Sequence, residues 1–182
     1  VTASSMITDT ETPITPTVKV ADITEDDTEI TYNVDFGYEA KESGVVTVKI
    51  NGEEFTAAFK AGSTGATVTV PNTYNTGDVY TEAATTVDAT ISVSGGGFEK
   101  VNDVTASSMI TDTETPITPT VKVADITEDD ASIVYNVDFG YEAKESGVVT
   151  VKINGDEFTA AFKAGSTGAT VTVPNTYNTG DV

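Results

Sequence analysis

The side chains with chemistry to offer in this chain are carboxylates. Aspartate and glutamate number 29 against 9 basic residues, all lysine, and histidine and cysteine are absent. That removes the commonest general base, the thiol nucleophile and the usual zinc ligands. No Gly-x-Ser-x-Gly elbow occurs, and Gly95-Gly96-Gly97 reads as a tight turn and not a phosphate loop, because no helical pattern follows it. Adjacent acids such as Glu53-Glu54 point to opposite sides of an extended chain, so only one can face a given site. There is no tryptophan for sugar stacking. The expectation is therefore that the chain is not an enzyme. Carboxylates gathered in loops can instead surround a hard cation, and calcium takes roughly six to eight oxygens from carboxylates, carbonyls and water.

The acids cluster at breaks in the chain. Glu25-Asp26-Asp27 forms one group, Glu39 and Glu42 another, and Asp78 and Glu82 a third. Glu99 and Asp103 bracket a turn, and Asp112 and Glu114 sit beside a proline-containing stretch. The ligand set expected for Ca2+ is Asp26, Asp27, Asp78, Glu99, Asp103, Asp112 and Glu114, joined by Asp129, Asp130, Glu142 and Glu145. The plain alternative is a solvated acidic coat that keeps the protein soluble. No EF-hand spacing and no Gly-Gly-x-Gly-x-Asp nonapeptide sharpens the signal. A formal charge of −20 argues against nucleic acid and anionic membrane surfaces as partners, since both need clustered cations.

What must position these acids is a repeat. Residues 1–79 recur as 104–182, and only four of the 79 aligned pairs differ: Thr28/Ala131, Glu29/Ser132, Thr31/Val134 and Glu53/Asp156. A period of 103 residues is the size of a small domain, so the chain reads as part of a tandem array. Within the period, apolar and polar residues alternate at Thr17–Val20, Ile30–Phe36, Val46–Ile50, Phe55–Phe59, Val68–Val70, Val87–Val93 and Val104–Met109. Alternation means strands with one face buried and one wet. Tyr32, Val34, Phe36, Val48, Ile50, Phe55 and Phe59 are the expected inward side chains. Breakers separate the runs at Asn51-Gly52, Gly62-Ser63-Thr64-Gly65, Asn75-Thr76-Gly77-Asp78 and Gly95-Gly96-Gly97, and Asn-Gly between alternating runs signals a hairpin. Seven short strands in about one hundred residues predict an all-β, tandem immunoglobulin-like (Ig-like) β-sandwich with Greek-key connections, without the Cys-Trp-Cys signature of antibody domains.

The expected layout is the last strand of a preceding repeat plus linker at 1–12, a complete domain at 13–112, a linker at 113–115 and an incomplete second domain at 116–182. The second copy ends at the equivalent of Val79, so the counterparts of Tyr80–Asp103, including the strongest strand, are expected from outside these residues or from a donated segment. Thr12-Pro13-Ile14-Thr15-Pro16 reads as a stiff linker. No apolar run approaches the roughly 20 residues of a membrane helix. No segment reads as a signal peptide, so any export address is expected elsewhere.

Asp88-Ala89-Thr90-Ile91-Ser92-Val93-Ser94-Gly95-Gly96-Gly97-Phe98-Glu99, followed by a strand and by Thr111-Asp112-Thr113-Glu114-Thr115, resembles the Ig-like extender repeats of giant type I-secreted, RTX-type bacterial adhesins, biofilm and ice-binding adhesins among them. The resemblance implies an extracellular, cell-surface location, calcium-rigidified junctions with neighbouring identical repeats as partners, and a spacer role that holds a distal ligand-binding domain away from the cell. It implies no small-molecule substrate. Two other classes stay open. One is a direct sugar- or ice-binding module, for which Thr10-Glu11-Thr12 and Thr67-Val68-Thr69 are isolated pieces. The other is a surface-layer or pilus-like subunit that polymerises by strand exchange.

Overall fold

Alternating β-branched residues build strands wherever glycine and asparagine allow the chain to reverse. A computed structural model describes residues 1–74 and 77–177, and these form strands and turns with no helix. None of them makes a helix long and apolar enough to cross a membrane. Asn75 and Thr76 of one expected turn, and residues 178–182 of the expected second domain, lie outside the described residues. The chain divides into two compact units, Val1–Glu114 and Thr115–Val182.

In the first unit, β1 (Pro13–Ile14), β2 (Thr17–Val20), β3 (Ile23–Thr24), β4 (Glu29–Asp35), β5 (Gly44–Ile50), β6 (Glu53–Phe59) and β7 (Gly65–Pro71) are followed by β8 (Thr85–Gly95), β9 (Lys100–Val101) and β10 (Val104–Thr111). One sheet has the order β2-β4-β7 and the other β3-β10-β8-β5-β6. Successive strands cross between the sheets after β4, β6 and β7, which is the Greek-key wiring of an Ig-like sandwich. The inner faces meet in a single core that contains Ile30, Tyr32, Val46, Val48, Val68 and Ile91. Of the expected inward residues, Tyr32, Val34, Phe36, Val48, Ile50 and Phe59 are buried and Phe55 is half-buried. Phe59 and Phe98 both lie against Phe36, with ring centroids 4.7 and 5.6 Å away. The four positions that differ between copies are all exposed in this unit.

Two turns show why glycine is needed. Asn51 and Gly52 take φ of 49° and 91°, the left-handed pair that lets β5 and β6 join through two residues. Gly44 lies so close to β8 that a Cβ would stand 2.3 Å from the Ser94 carbonyl oxygen.

The stretch read as a linker is docked onto the unit. Pro13 and Ile14 pair in parallel with Lys100 and Val101, the Asn102 N–H donates to the Ile14 carbonyl (2.9 Å), and Pro16 is buried. Two-residue strands such as β1, β3 and β9 are too short for alternation to reveal. Residues 1–12 form no strand and are exposed throughout.

The second unit contains β11 (Thr120–Val123), β12 (Ser132–Asp138), β13 (Gly147–Ile153), β14 (Asp156–Phe162) and β15 (Gly168–Pro174). They repeat the order β2-β4-β7 as β11-β12-β15 and the hairpin β5-β6 as β13-β14. Among the described residues no strand takes the place of β8 or β10 there. The identical sequence is consequently less covered: Val46 and Val48 are fully buried, whereas Val149 and Val151 are half-buried and Val148 is 61% exposed.

Backbone protection should record this difference. Gly44–Lys49 pair with β8 on one side and β6 on the other, whereas Gly147–Lys152 pair only with β14. Amide hydrogen exchange is expected to be faster in β13 than in β5, because unpaired edge amides are open to solvent. Peptides that include residue 53 or 156 are distinguishable by mass through Glu53 against Asp156. Equal protection of the two strands would mean that a further segment covers β13.

Candidate metal centre

One end of the first unit brings acids together. The parallel pairing of β3 with β10 is extended by the Glu25 N–H, which donates to the Thr111 carbonyl (3.0 Å). Continuing the ladder by one residue carries the Glu25 side chain inward, and Glu25 is 7% exposed, a rare state for a glutamate. Its Oε1 accepts from the Thr113 N–H at 3.1 Å. Asp112 lies beside it, with Oδ2 accepting from the Glu82 N–H at 3.0 Å. Asp112 Oδ1 and Thr113 Oγ1 are buried and have no hydrogen-bond partner.

The electrostatics follow from this crowding. The Thr113 N–H favours the Glu25 carboxylate and pulls its pKa down. Burial, the charge of Asp112, a hydrogen bond that protonated Glu25 gives to Asp112, and the charge of Asp26 outweigh that bond, and the pKa is raised. The pair is thus poised to take up either a proton or a cation.

The loop that carries these acids is held by Asn72. Its side-chain amide donates to the Asp27 carbonyl at 2.8 Å, with longer contacts to the carbonyls of Thr24 and Glu25, and its own N–H donates to the Thr28 carbonyl. Asp27 closes the same loop: Oδ2 accepts from the Thr24 N–H (2.8 Å) and the Thr24 hydroxyl (3.1 Å). Asp26 faces the neighbouring loop, where a Cβ on Gly77 would stand 3.4 Å from its Oδ1. Asp78 caps that loop, accepting from the Tyr80 N–H at 2.6 Å.

The sequence-derived set therefore divides. The structure gathers Asp26 and Asp112 around Glu25, with Asp78 in the loop beside Asp26, and commits Asp27 to closing its loop. Glu99 accepts a hydrogen bond from the Thr12 N–H, away from this centre. Asp103 and Glu114 are exposed. In the second unit, Asp130 repeats the role of Asp27, accepting from the Thr127 N–H and hydroxyl at 2.7 and 2.9 Å, and these bonds lower its pKa. Asp129, Glu142 and Glu145 are exposed. Glu25, the most buried acid, is absent from that set; its only sequence signal is its place next to Asp26. Its counterpart Glu128 is exposed.

The donor set suits a hard cation. All the groups are oxygens, two carboxylates crowd each other, and a buried carboxylate oxygen and a buried hydroxyl lack partners. Among the described residues, no three carboxylates already converge at metal-binding distance. Binding would draw Asp26 or Asp78 inward.

No family model and no curated protein matches the chain. Solved structures give partial likenesses. The CBD12 domains of CALX1.2 are 13% identical, with 89% of this chain and 76% of that one covered at a TM-score of 0.38. The YadV chaperone is 8% identical, with 90% and 86% covered at 0.36. A structure on host cell surface retention of a 1.5-MDa bacterial ice-binding adhesin is 22% identical, with 91% of this chain and 55% of that one covered at 0.32. Likenesses this slight do not bear on what the chain does, and the sandwich assignment stands on the strand pairing itself.

The raised pKa of Glu25 has a definite sign. The folded state prefers its neutral form, so this contribution to stability is complete below the ordinary glutamate pKa and is lost as pH rises through the raised value. In EDTA, Glu25→Gln should flatten the part of the first unit's melting-temperature profile that falls over that window. The check is differential scanning calorimetry of both proteins from pH 4 to pH 7, and parallel profiles would remove Glu25 from the pH response.

Proposed function

We propose that this chain is a structural spacer: tandem repeats of a large bacterial cell-surface adhesin, stiffened by calcium, that hold a distal ligand-binding domain away from the cell. The observation that carries this reading is near-identity, with 75 of 79 aligned residues unchanged between copies. Two specialised sites would be expected to diverge, whereas a spacer's contribution is its length. The exchanges that do occur are exposed in the first unit and leave the inward residues alone. A repeated sandwich is a suitable rod segment because each unit closes its own core.

Calcium is the proposed cofactor. Glu25, Asp26 and Asp112 would hold it, with Asp78 the nearest further carboxylate, and the bound ion would cancel the repulsion that otherwise opposes their approach. Because Glu25 and Asp112 join the β3 loop to the end of β10, such an ion would tie the last strand of the unit to its first sheet edge. The same reading places the protein outside the cell, with neighbouring identical repeats as partners, and assigns it no catalytic role. A formal charge of −20 on 182 residues makes relief of self-repulsion valuable for the fold as a whole.

The test is thermal stability with and without the ion. A ligand at one hundred times its dissociation constant stabilises by about 2.7 kcal/mol per site, so millimolar calcium after EDTA treatment should raise the melting temperature of the first unit by several degrees. Asp112→Asn should remove most of that rise, while magnesium at equal ionic strength should not reproduce it. Identical melting curves in calcium and in EDTA at low salt would reduce the acids to a solvated coat.

A further inference from the structure

The strand that completes the first unit occurs a second time in this chain, and so does the edge that receives it. Val1–Glu11 has the same sequence as Val104–Glu114, which contains β10. Ala21–Glu25, the edge along which β10 lies, has the same sequence as Ala124–Glu128. In the first unit the two segments are joined in parallel, with Ile110 opposite Ile23 and Thr111 opposite Thr24. The Ser108 hydroxyl donates to the Ala21 carbonyl (2.8 Å) and the Met109 N–H donates to Asp22 Oδ1 (2.8 Å). The Glu25 N–H and the Thr113 N–H complete the zipper. The Ile110 side chain is fully buried.

The second copies of both segments lack this pairing. Val1–Glu11 forms no strand, and Met6 and Ile7 are 89% and 95% exposed. Ala124–Glu128 is exposed at every residue and joins no sheet. We propose that Val1–Thr8 of one molecule docks in parallel along Ala124–Glu128 of the second unit of another copy of this chain. Ile7 then stands opposite Ile126 and Thr8 opposite Thr127. Ser5 donates to the Ala124 carbonyl and the Met6 N–H donates to Asp125, as their identical counterparts do in the first unit. Residues 1–8 contain no acidic side chain, so they enter an anionic protein without like-charge opposition. The first unit's edge is already filled by its own β10, so the contact is heterologous and leads to head-to-tail chains rather than a closed dimer.

The absence of native cysteine makes the register directly testable. Neighbouring strands lie about 4.8 Å apart, within reach of a disulfide. Thr24→Cys with Thr111→Cys in one molecule is the geometric control and should close under mild oxidation. Thr8→Cys in one molecule mixed with Thr127→Cys in another should then give a cross-linked pair in far higher yield than Thr8→Cys mixed with Thr170→Cys. Light scattering of the unmodified chain should show mass rising with concentration, and deletion of residues 1–9 should return it to the monomer value. The proposal falls if the control closes while the mixed pair links no better than the Thr170 reference. It falls equally if the unmodified chain stays monomeric over the whole concentration range or if the deletion leaves the mass unchanged.

Discussion

Everything in the first unit depends on β8 having a partner on both sides. It pairs with β5 on one edge and β10 on the other, and it places Val87, Ala89 and Ile91 in the core. Burial of Val87 and Ile91 contributes about 2 kcal/mol each, whereas an exposed ion pair such as Lys49–Glu54 or Lys152–Glu157 contributes about 0.2–1 kcal/mol. Apolar closure therefore decides the stability of the sandwich. The second unit is an internal control: β13 and β14 reproduce the β5-β6 hairpin residue for residue, yet their inward side chains are only partly covered. Local sequence is enough to form the hairpin and the three-stranded sheet. It is not enough to bury them.

The placement of charge follows from the same topology. Glu25 is buried because β10 runs beside β3 and presents Asp112 and Thr113 to it. Where that strand is not alongside, the identical Glu128 is exposed. Asn72 and Asn175 hold their loops alike in the two units, donating at 2.8 Å to the carbonyls of Asp27 and Asp130. The loop is thus a local construction, while the acidic centre is assembled across more than 80 residues of chain. A proton or a divalent cation relieves it, which couples stability to pH and to the proposed metal through one pair of carboxylates.

The sequence by itself determined the all-β class, most strand positions and the β5-β6 hairpin, because alternation and an Asn-Gly pair are local properties read over a few residues. It also determined which side chains face inward, since a strand's period of two assigns each residue to one face. Three things required the tertiary structure. Pro13–Ile14 and Pro16 form a docked edge, although proline composition alone predicts a linker, because Lys100–Asn102 offers them partners. Asp27 and Asp130 close their own loops by bonding a threonine three residues earlier, whereas Glu25 is drawn into the interior as the next rung of a parallel ladder. And two nearly identical stretches differ in burial because a side chain is covered only by what packs across from it, which no local pattern contains.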